Sequence, residues 1–439
     1  MSRIIIHGAL ALALLAILGG CSEKATLTAA QQSGSDPTLP APQRFLKPPM
    51  QVPKYVEWEQ GQTPKVADGL QIEKIASNLK HPRQLYVLPN DDVLVVESNS
   101  PDTEPVTTPK QMIAGLVQAR SGKSAKGGNR ITLLRRKAGV NGEWEKHAFI
   151  ENLNSPFGVQ LIGDSLYVAD TDRIVKFPYV RGETQITAPG VEFADLPGTI
   201  NHHWTKPLLA SPDGSKLYVG IGSNSNITEN GLAVEYRRAD VLEVDVATGG
   251  SRIYAAGLRN PTGLQWEPTT GKLWAVANER DEIGPDLVPD YLTSVQEGGF
   301  YGWPYSYYGQ HVDNRVMPQR PDLVARAIKP DYAIGSHVAP LGLLISGDNA
   351  LPVKYHNGAF ISEHGSWNRS PLNGYRVVFV AFQQGKPVGK PEPVVTGFHS
   401  DDEKILYGAP VGLVQDKEGA LIVADDVGNS VWRVTSAAH

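Results

Sequence analysis

Cysteine is almost missing from this chain. The one that occurs is Cys21, so no disulfide can close within the chain and no Cys-x-x-Cys-His haem site exists. A surplus of one charge is missing as well. With 41 basic against 46 acidic residues the net charge is -5, and the absence of a basic field argues against nucleic acid as a partner. What the chain has in quantity is 44 Gly and 33 Pro, which points to many turns rather than long helices. At 439 residues and 41% hydrophobic it has ample material for a core, and a closed all-β architecture accommodates that length in one domain.

The N-terminus reads as an export signal over residues 1–20: Arg3, an apolar run from Ile4 to Ile17, then Leu18-Gly19-Gly20-Cys21. That run is too short for a good spanning helix. The Leu18–Cys21 stretch resembles a bacterial lipoprotein box, in which Cys21 carries the lipid, and Ser22 after it resembles the outer-membrane sorting class. The resemblance implies a periplasm-facing protein held to the membrane, the outer one, by its lipid anchor only. Residues 21–65, rich in Ser, Gln and Pro, are expected to form a flexible tether with little reason to pack.

Residues 66–439 carry a repeat. Six X-Pro openings occur, at Pro82, Pro156, Pro207, Pro261, Pro340 and Pro410, with spacings of 74, 51, 54, 79 and 70. Four continue as Pro-x-Gly-(Leu/Val), and each opening is followed by a second strand such as Val93–Glu97, Leu166–Asp170 or Leu421–Asp425. Six copies of a unit that cannot bury both faces alone predict an all-β, six-bladed β-propeller. Proline suits the first residue of an inner strand, where its missing N–H breaks no ladder bond. Two insertions interrupt the pattern: residues 99–129, with a short helix expected near 110–117, and residues 280–338, expected as a long functional loop.

If the prolines begin the innermost strands, the residues before them meet at one mouth of the central channel. His81, Ser155, His203 with Lys206, Arg259 with Asn260, His337 and Ala409 would then share a cup. An imidazole base, a fixed cation and an amide around one cavity can bind and deprotonate a polar ligand. His202, adjacent to His203, is the alternative base.

Leu258–Leu264, Asn278–Asp281, Pro289–Thr293, Phe300–Pro304 and Gly365–Arg369 closely resemble the L-sorbosone dehydrogenase family, grouped with the soluble glucose and aldose sugar dehydrogenases that use pyrroloquinoline quinone (PQQ). The resemblance runs from about residue 70 to the C-terminus. It implies oxidation of an aldose-type sugar or aldehyde hydrate with PQQ and Ca²⁺, the electrons leaving to an external acceptor. His203 would be the general base, since an imidazole of pKa about 6.5 accepts a proton near neutral pH, with hydride passing to the quinone. Arg259 would polarise the quinone carbonyl, and Asn260, His337, Trp367 and Arg369 would contact the cofactor. Main-chain carbonyls around Arg280 and Asp281 would hold Ca²⁺. Beside the resemblance, the closely spaced Tyr305, Tyr307 and Tyr308 read either as an aromatic wall for a sugar or as a plain surface loop.

Two positions depart from the related sequences. Where glucose-oxidising relatives carry a carboxylate that orients the imidazole, this chain has Ser223. Where they read Gly-Arg-Pro-Val, it reads Gly408-Ala409-Pro410-Val411, losing a cation for a cofactor carboxylate, with Lys404 or Arg369 as replacements. The rival readings are a Ca²⁺-dependent lactonase-type propeller and a binding propeller without catalysis.

Overall fold

Each proline opening leads into the innermost strand of an antiparallel sheet, and six such sheets form a propeller: five have four strands, and that of blade five is widened to six by Lys65–Val66 and Lys386–Pro387. The computed structural model describes residues 24–44, 50–104, 106, 121, 126–137 and 142–437. The signal sequence, Cys21 and the helix expected near 110–117 lie outside the described residues.

The innermost strands are Pro82–Val87, Gly158–Ile162, Leu208–Ala210, Asn260–Trp266, Pro340–Ser346 and Pro410–Gln415, in blades one to six. Each touches the next around the ring, and blade six touches blade one. The ring is closed by chain ends far apart in sequence, because Leu70–Ala76 pairs with Ser430–Ser436 as the outermost strand of blade six. That pairing leaves no open edge between the first and last blades.

The second strands are nearly all apolar because neighbouring blades cover both their faces. Along Val93–Glu97, Val93 and Val95 pack with Ile422, Ala424 and Val431 of blade six, while Leu94 and Val96 pack with Val159 and Val168 of blade two. Leu421 and Val423 likewise turn to blade five, while Ile422 and Ala424 turn to blade one. This is strand alternation with an apolar layer on each side. Each such fully buried valine or leucine contributes about 1.5–3 kcal/mol.

The recurrent glycine follows from how closely the inner strands approach. A Cβ at Gly342 would stand 2.0 Å from the Val411 carbonyl oxygen of the next blade, and one at Gly412 would stand 2.6 Å from that of Arg83. Only glycine fits there.

Two expectations require correction. The segment 280–338 is not simply a loop. Pro289–Ser294 and Tyr332–Ser336 are the third and fourth strands of blade four, parted by an insertion that hides them from a repeat search. Nor is the stretch after residue 23 a loose tether. Thr28 caps a short helix, Ala29–Gln32, whose Gln32 is buried, and Gly34 pairs with Ala333. Trp58 is buried between blades five and six and donates to Asp425 at 2.9 Å. Polar composition concealed this packing because the segment docks through hydrogen bonds more than through apolar faces.

Candidate functional site

Inner strands start, and second strands end, at the same mouth of the ring: Pro82 pairs with Glu97, Asn260 with Asn278, Pro340 with Glu363 and Pro410 with Asp425. The chain enters this mouth through sharp turns. His81, Ser155 and Ala339, each just before a proline, have φ of 55°, 47° and 52°, and Asn201 has 53°. Such left-handed conformations cost on the order of 1–3 kcal/mol each and persist where the surroundings enforce them.

His203 follows one of these turns. Its Nδ1 lies 3.0 Å from both the carbonyl oxygen and the hydroxyl oxygen of Ser223. A carbonyl only accepts, so Nδ1 carries the proton and Nε2 keeps its lone pair. The Ser223 hydroxyl is itself oriented by donating to the Ser225 carbonyl at 2.6 Å. Burial, then the positive charge of Arg259 and the neighbouring His202, hold the His203 pKa well below the usual imidazole value. His203 is therefore neutral at pH 7, with Nε2 as the proton acceptor. His202, the alternative, is bound through Nδ1 to Glu104 at 2.8 Å. Gly222 lets His203 approach blade four: a Cβ there would meet Asn260 Oδ1 at 2.2 Å and His203 Cβ at 2.4 Å.

Arg259 adjoins the same turn, its carbonyl accepting the Ser223 N–H at 2.8 Å. Its guanidinium is buried. Nη1 donates to the Glu279 carbonyl at 2.7 Å, Nε to the Asn226 carbonyl at 3.2 Å, and Nη2 to Asn226 Oδ1 at 3.0 Å and Asp281 at 3.4 Å. Asn226, which sequence reading missed, is the hub. Its Oδ1 also accepts the Asp281 N–H at 2.9 Å, and its carbonyl accepts Trp303 Nε1 at 3.0 Å. Only the run Ser223-Asn224-Ser225-Asn226 hinted at it.

Asp281 is held by Asn368 at 2.8 Å, His337 at 3.2 Å and Arg259. Burial alone would raise its pKa, but the hydrogen bond from His337 and the charge of Arg259 bring it to about 2. The same pairing, working against burial, raises His337 above the ordinary imidazole value. His337 Nε2 faces the Gly284 carbonyl at 3.0 Å, so both ring nitrogens donate to the protein.

Several expected contacts are thereby corrected. His337 has no nitrogen left for a cofactor. Arg369 turns away from the cup to the Pro285 and Pro371 carbonyls and Asp286, at 3.0 Å each. The Arg280 guanidinium is fully buried among Glu279, Asp313 and the Pro304 and Ser306 carbonyls. Tyr307 and Tyr308 are buried rather than lining a sugar site, with Arg280 5.6 Å over the Tyr307 ring. Trp367 is half-buried, its carbonyl accepting the Gln51 N–H at 3.0 Å.

The loop around Arg280 and Asp281 does not fit calcium as arranged. The Glu279 carbonyl accepts from Arg259, and the Asp281 carbonyl accepts from Asn226 at 3.2 Å and Arg315 at 3.1 Å. Among the described residues no group of three His, Cys, Asp or Glu side chains could hold a metal ion. A polar ligand that both donates and accepts fits better. The acceptors Asn260 Oδ1 and Asn368 Oδ1, and the nitrogens Arg83 Nε and His81 Nδ1, are buried at this mouth without hydrogen-bond partners, a costly state unless something fills the cup.

Comparison with known proteins agrees with the propeller fold. Residues 64–288 and 321–437 match the family described as TrAA12-like. The chain belongs to the TrAA12-like family. The unmatched stretch between those blocks holds most of the insertion in blade four. An uncharacterized protein of Borreliella burgdorferi is 27% identical over 299 residues, 66% of this chain and 77% of the relative. Among solved structures, a calcium structure of a Trichoderma reesei carbohydrate-active enzyme of family AA12 superposes with TM-score 0.69 and 19% identity, covering 85% of this chain and 97% of that one. The holo PQQ domain of a pyranose dehydrogenase from Coprinopsis cinerea superposes with TM-score 0.68 and 18% identity, covering 88% and 100%. The PQQ-bound aldose sugar dehydrogenase of Streptomyces coelicolor gives 0.54 and 15%, covering 85% and 100%. At these identities the structural likenesses establish the shared propeller of this TrAA12-like chain.

Proposed function

We propose that this chain is a PQQ-dependent oxidoreductase acting on an aldose-type sugar or aldehyde hydrate, of the sorbosone-oxidising kind. The observation that carries the reading is the neutral His203, with Nδ1–H fixed on Ser223 and Nε2 unengaged beside Arg259. Nε2 takes the proton of the substrate hydroxyl. The bound quinone supplies a two-electron acceptor for the hydride leaving the same carbon. Arg259, with four of its five N–H donors spent on Asn226, Glu279 and Asp281, keeps a fixed positive charge where negative charge develops. Asn260 presents its unpaired Oδ1 to the same cup. The PQQ named in the Coprinopsis and Streptomyces structures supports the choice of cofactor.

Electrons leave to an external acceptor, with Cys21 carrying the lipid that holds the propeller at the outer membrane, facing the periplasm. The hydrolase reading is less well supported, because the Asp281 carboxylate is spent on Asn368, His337 and Arg259 and, among the described residues, no group of three His, Cys, Asp or Glu side chains could hold a metal ion. The test is reconstitution of purified protein with PQQ, followed by dye reduction over an aldose panel. His203→Ala should abolish reduction and spare quinone binding. Undiminished turnover in that variant would remove His203 as the base, and no quinone-dependent turnover in the parent would leave a binding propeller.

A further inference from the structure

Opposite His203, the mouth carries a second cluster of ionisable groups that the reading above does not use. Arg83 and His81 come from the start of blade one, His364 from the end of the second strand of blade five, and Asp426 from blade six. All are buried: His81 is 4% exposed, Arg83 9%, His364 8% and Asp426 0%. Asp426 accepts from Arg83 Nη1 and faces His364 Nε2 at 3.1 Å. Burial would raise its pKa, but His364 and Arg83 hold it well below the usual carboxylate range, so it stays ionised.

The guanidinium is aimed but not satisfied. Among the described residues its one hydrogen bond is to Asp426, and its Nε has no hydrogen-bond partner; His81 Nδ1 likewise lacks one, standing 4.0 Å from Asp426. Its Cζ lies over the Trp204 ring, 5.2 Å from the centroid, and Trp204 makes a T-shaped contact with Phe157. A buried guanidinium fork with free donors, beside an aromatic ring, suits a planar ligand that bears a carboxylate.

The cluster also adjoins the position where a cation is missing. The Ala409 carbonyl accepts the Asp426 N–H at 3.1 Å, so the residue that steers Arg83 is bonded to the site of the lost arginine. The two replacements suggested by sequence fail. Arg369 is spent on Pro285, Pro371 and Asp286, and the Lys404 side chain is 79% exposed beside Asp402.

We propose that Arg83, oriented by Asp426 and flanked by His81, anchors a carboxylate of the quinone, replacing from blade one the cation that Ala409 removes from blade six. This rests on the quinone reading above. The test titrates apoprotein with PQQ and follows quenching of tryptophan fluorescence, a signal independent of turnover. Arg83→Gln should weaken binding roughly tenfold to a hundredfold, and Arg83→Lys, which keeps the charge but not the fork, should lose less. Thermal melting of each apoprotein checks the fold, and should Arg83→Gln not fold, the comparison rests on Arg83→Lys alone. Parental affinity in the glutamine variant, or in the lysine variant where that one carries the comparison, overturns the assignment. Unchanged PQQ affinity with a raised KM for glucuronate but not glucose would move the anchored carboxylate to the substrate and overturn it equally. Absence of saturable PQQ binding in the parent would instead sink the quinone reading, and the anchor with it.

Discussion

His203 donates its Nδ1 proton to the Ser223 carbonyl oxygen 3.0 Å away, and Ser223 thereby decides which ring nitrogen stays basic. The orienting carboxylate expected from glucose-oxidising relatives is replaced by a carbonyl and a hydroxyl. Both fix the tautomer, but neither stabilises an imidazolium as an anion would.

The first prediction concerns pH. Burial and Arg259 depress the His203 pKa, so the acidic limb of the kcat/KM profile should fall below the ordinary imidazole range, about 6.5. Ser223→Asp places a carboxylate beside the ring and should move that limb upward, while Ser223→Ala, which keeps the carbonyl contact, should leave it nearly in place. The measurement is kcat/KM against pH in the three proteins. An unmoved limb in Ser223→Asp would separate the pH dependence from His203.

A second prediction concerns the Asp281–His337 pair. The folded pKa of Asp281 is about 2, below its unfolded value, so its contribution is present above about 4 and is lost as pH falls toward 2. The folded pKa of His337 is raised, so its contribution is full below about 6.5 and is lost as pH climbs through the raised value. Asp281→Asn should flatten both slopes. It should cost roughly 3 kcal/mol, the low end for breaking a buried pair, because the Asp281 side chain is 24% exposed. Denaturant unfolding of parent and variant between pH 2 and 8 tests this.

The propeller was legible because proline, glycine and alternating apolar residues report local backbone needs, and those needs recur six times. The position of His203, Arg259 and Asn260 at the channel mouth was legible because they sit at fixed offsets from the prolines. His337 and Arg369 were misread for one reason: offset from a motif fixes where a backbone lies, not which partner a side chain finds. The hub role of Asn226 was invisible because it depends on contacts from residues 33 and 55 positions away. Strand Leu70–Ala76 pairs 360 positions along the chain, beyond any local pattern.

A third prediction isolates that hub. Asn226→Ala removes the acceptor shared by Arg259 Nη2 and the Asp281 N–H. It should cost about 1–3 kcal/mol of stability for the buried donors left unpaired. With Arg259 loosened, quinone affinity should fall. Equilibrium unfolding and fluorescence titration read the two effects separately.

A fourth prediction concerns calcium. The carbonyls of Glu279 and Asp281 are held by Arg259, Asn226 and Arg315 rather than left facing a cation. Chelator should therefore leave the melting temperature of the apoprotein unchanged. A drop reversed by added Ca²⁺ would show that the loop rearranges around a metal.

The last prediction tests whether the N-terminal segment belongs to the fold. Asp286, in the loop after Asp281, accepts from the Thr26 and Leu27 N–H groups at 2.6 and 3.1 Å and from Gln32 Nε2 at 3.1 Å. Gln32 in turn accepts the Ser336 N–H at 3.1 Å, tying this loop to the last strand of blade four. Gln32→Ala should cost about 1–3 kcal/mol, because it strips a partner from a buried carboxylate and leaves a buried N–H unpaired. Removal of residues 24–44 should accelerate hydrogen exchange at residues 283–287 and 333–336 while the inner strands keep their protection. A loose tether would change exchange at neither segment, so equal protection in the truncated protein would return residues 24–44 to that role.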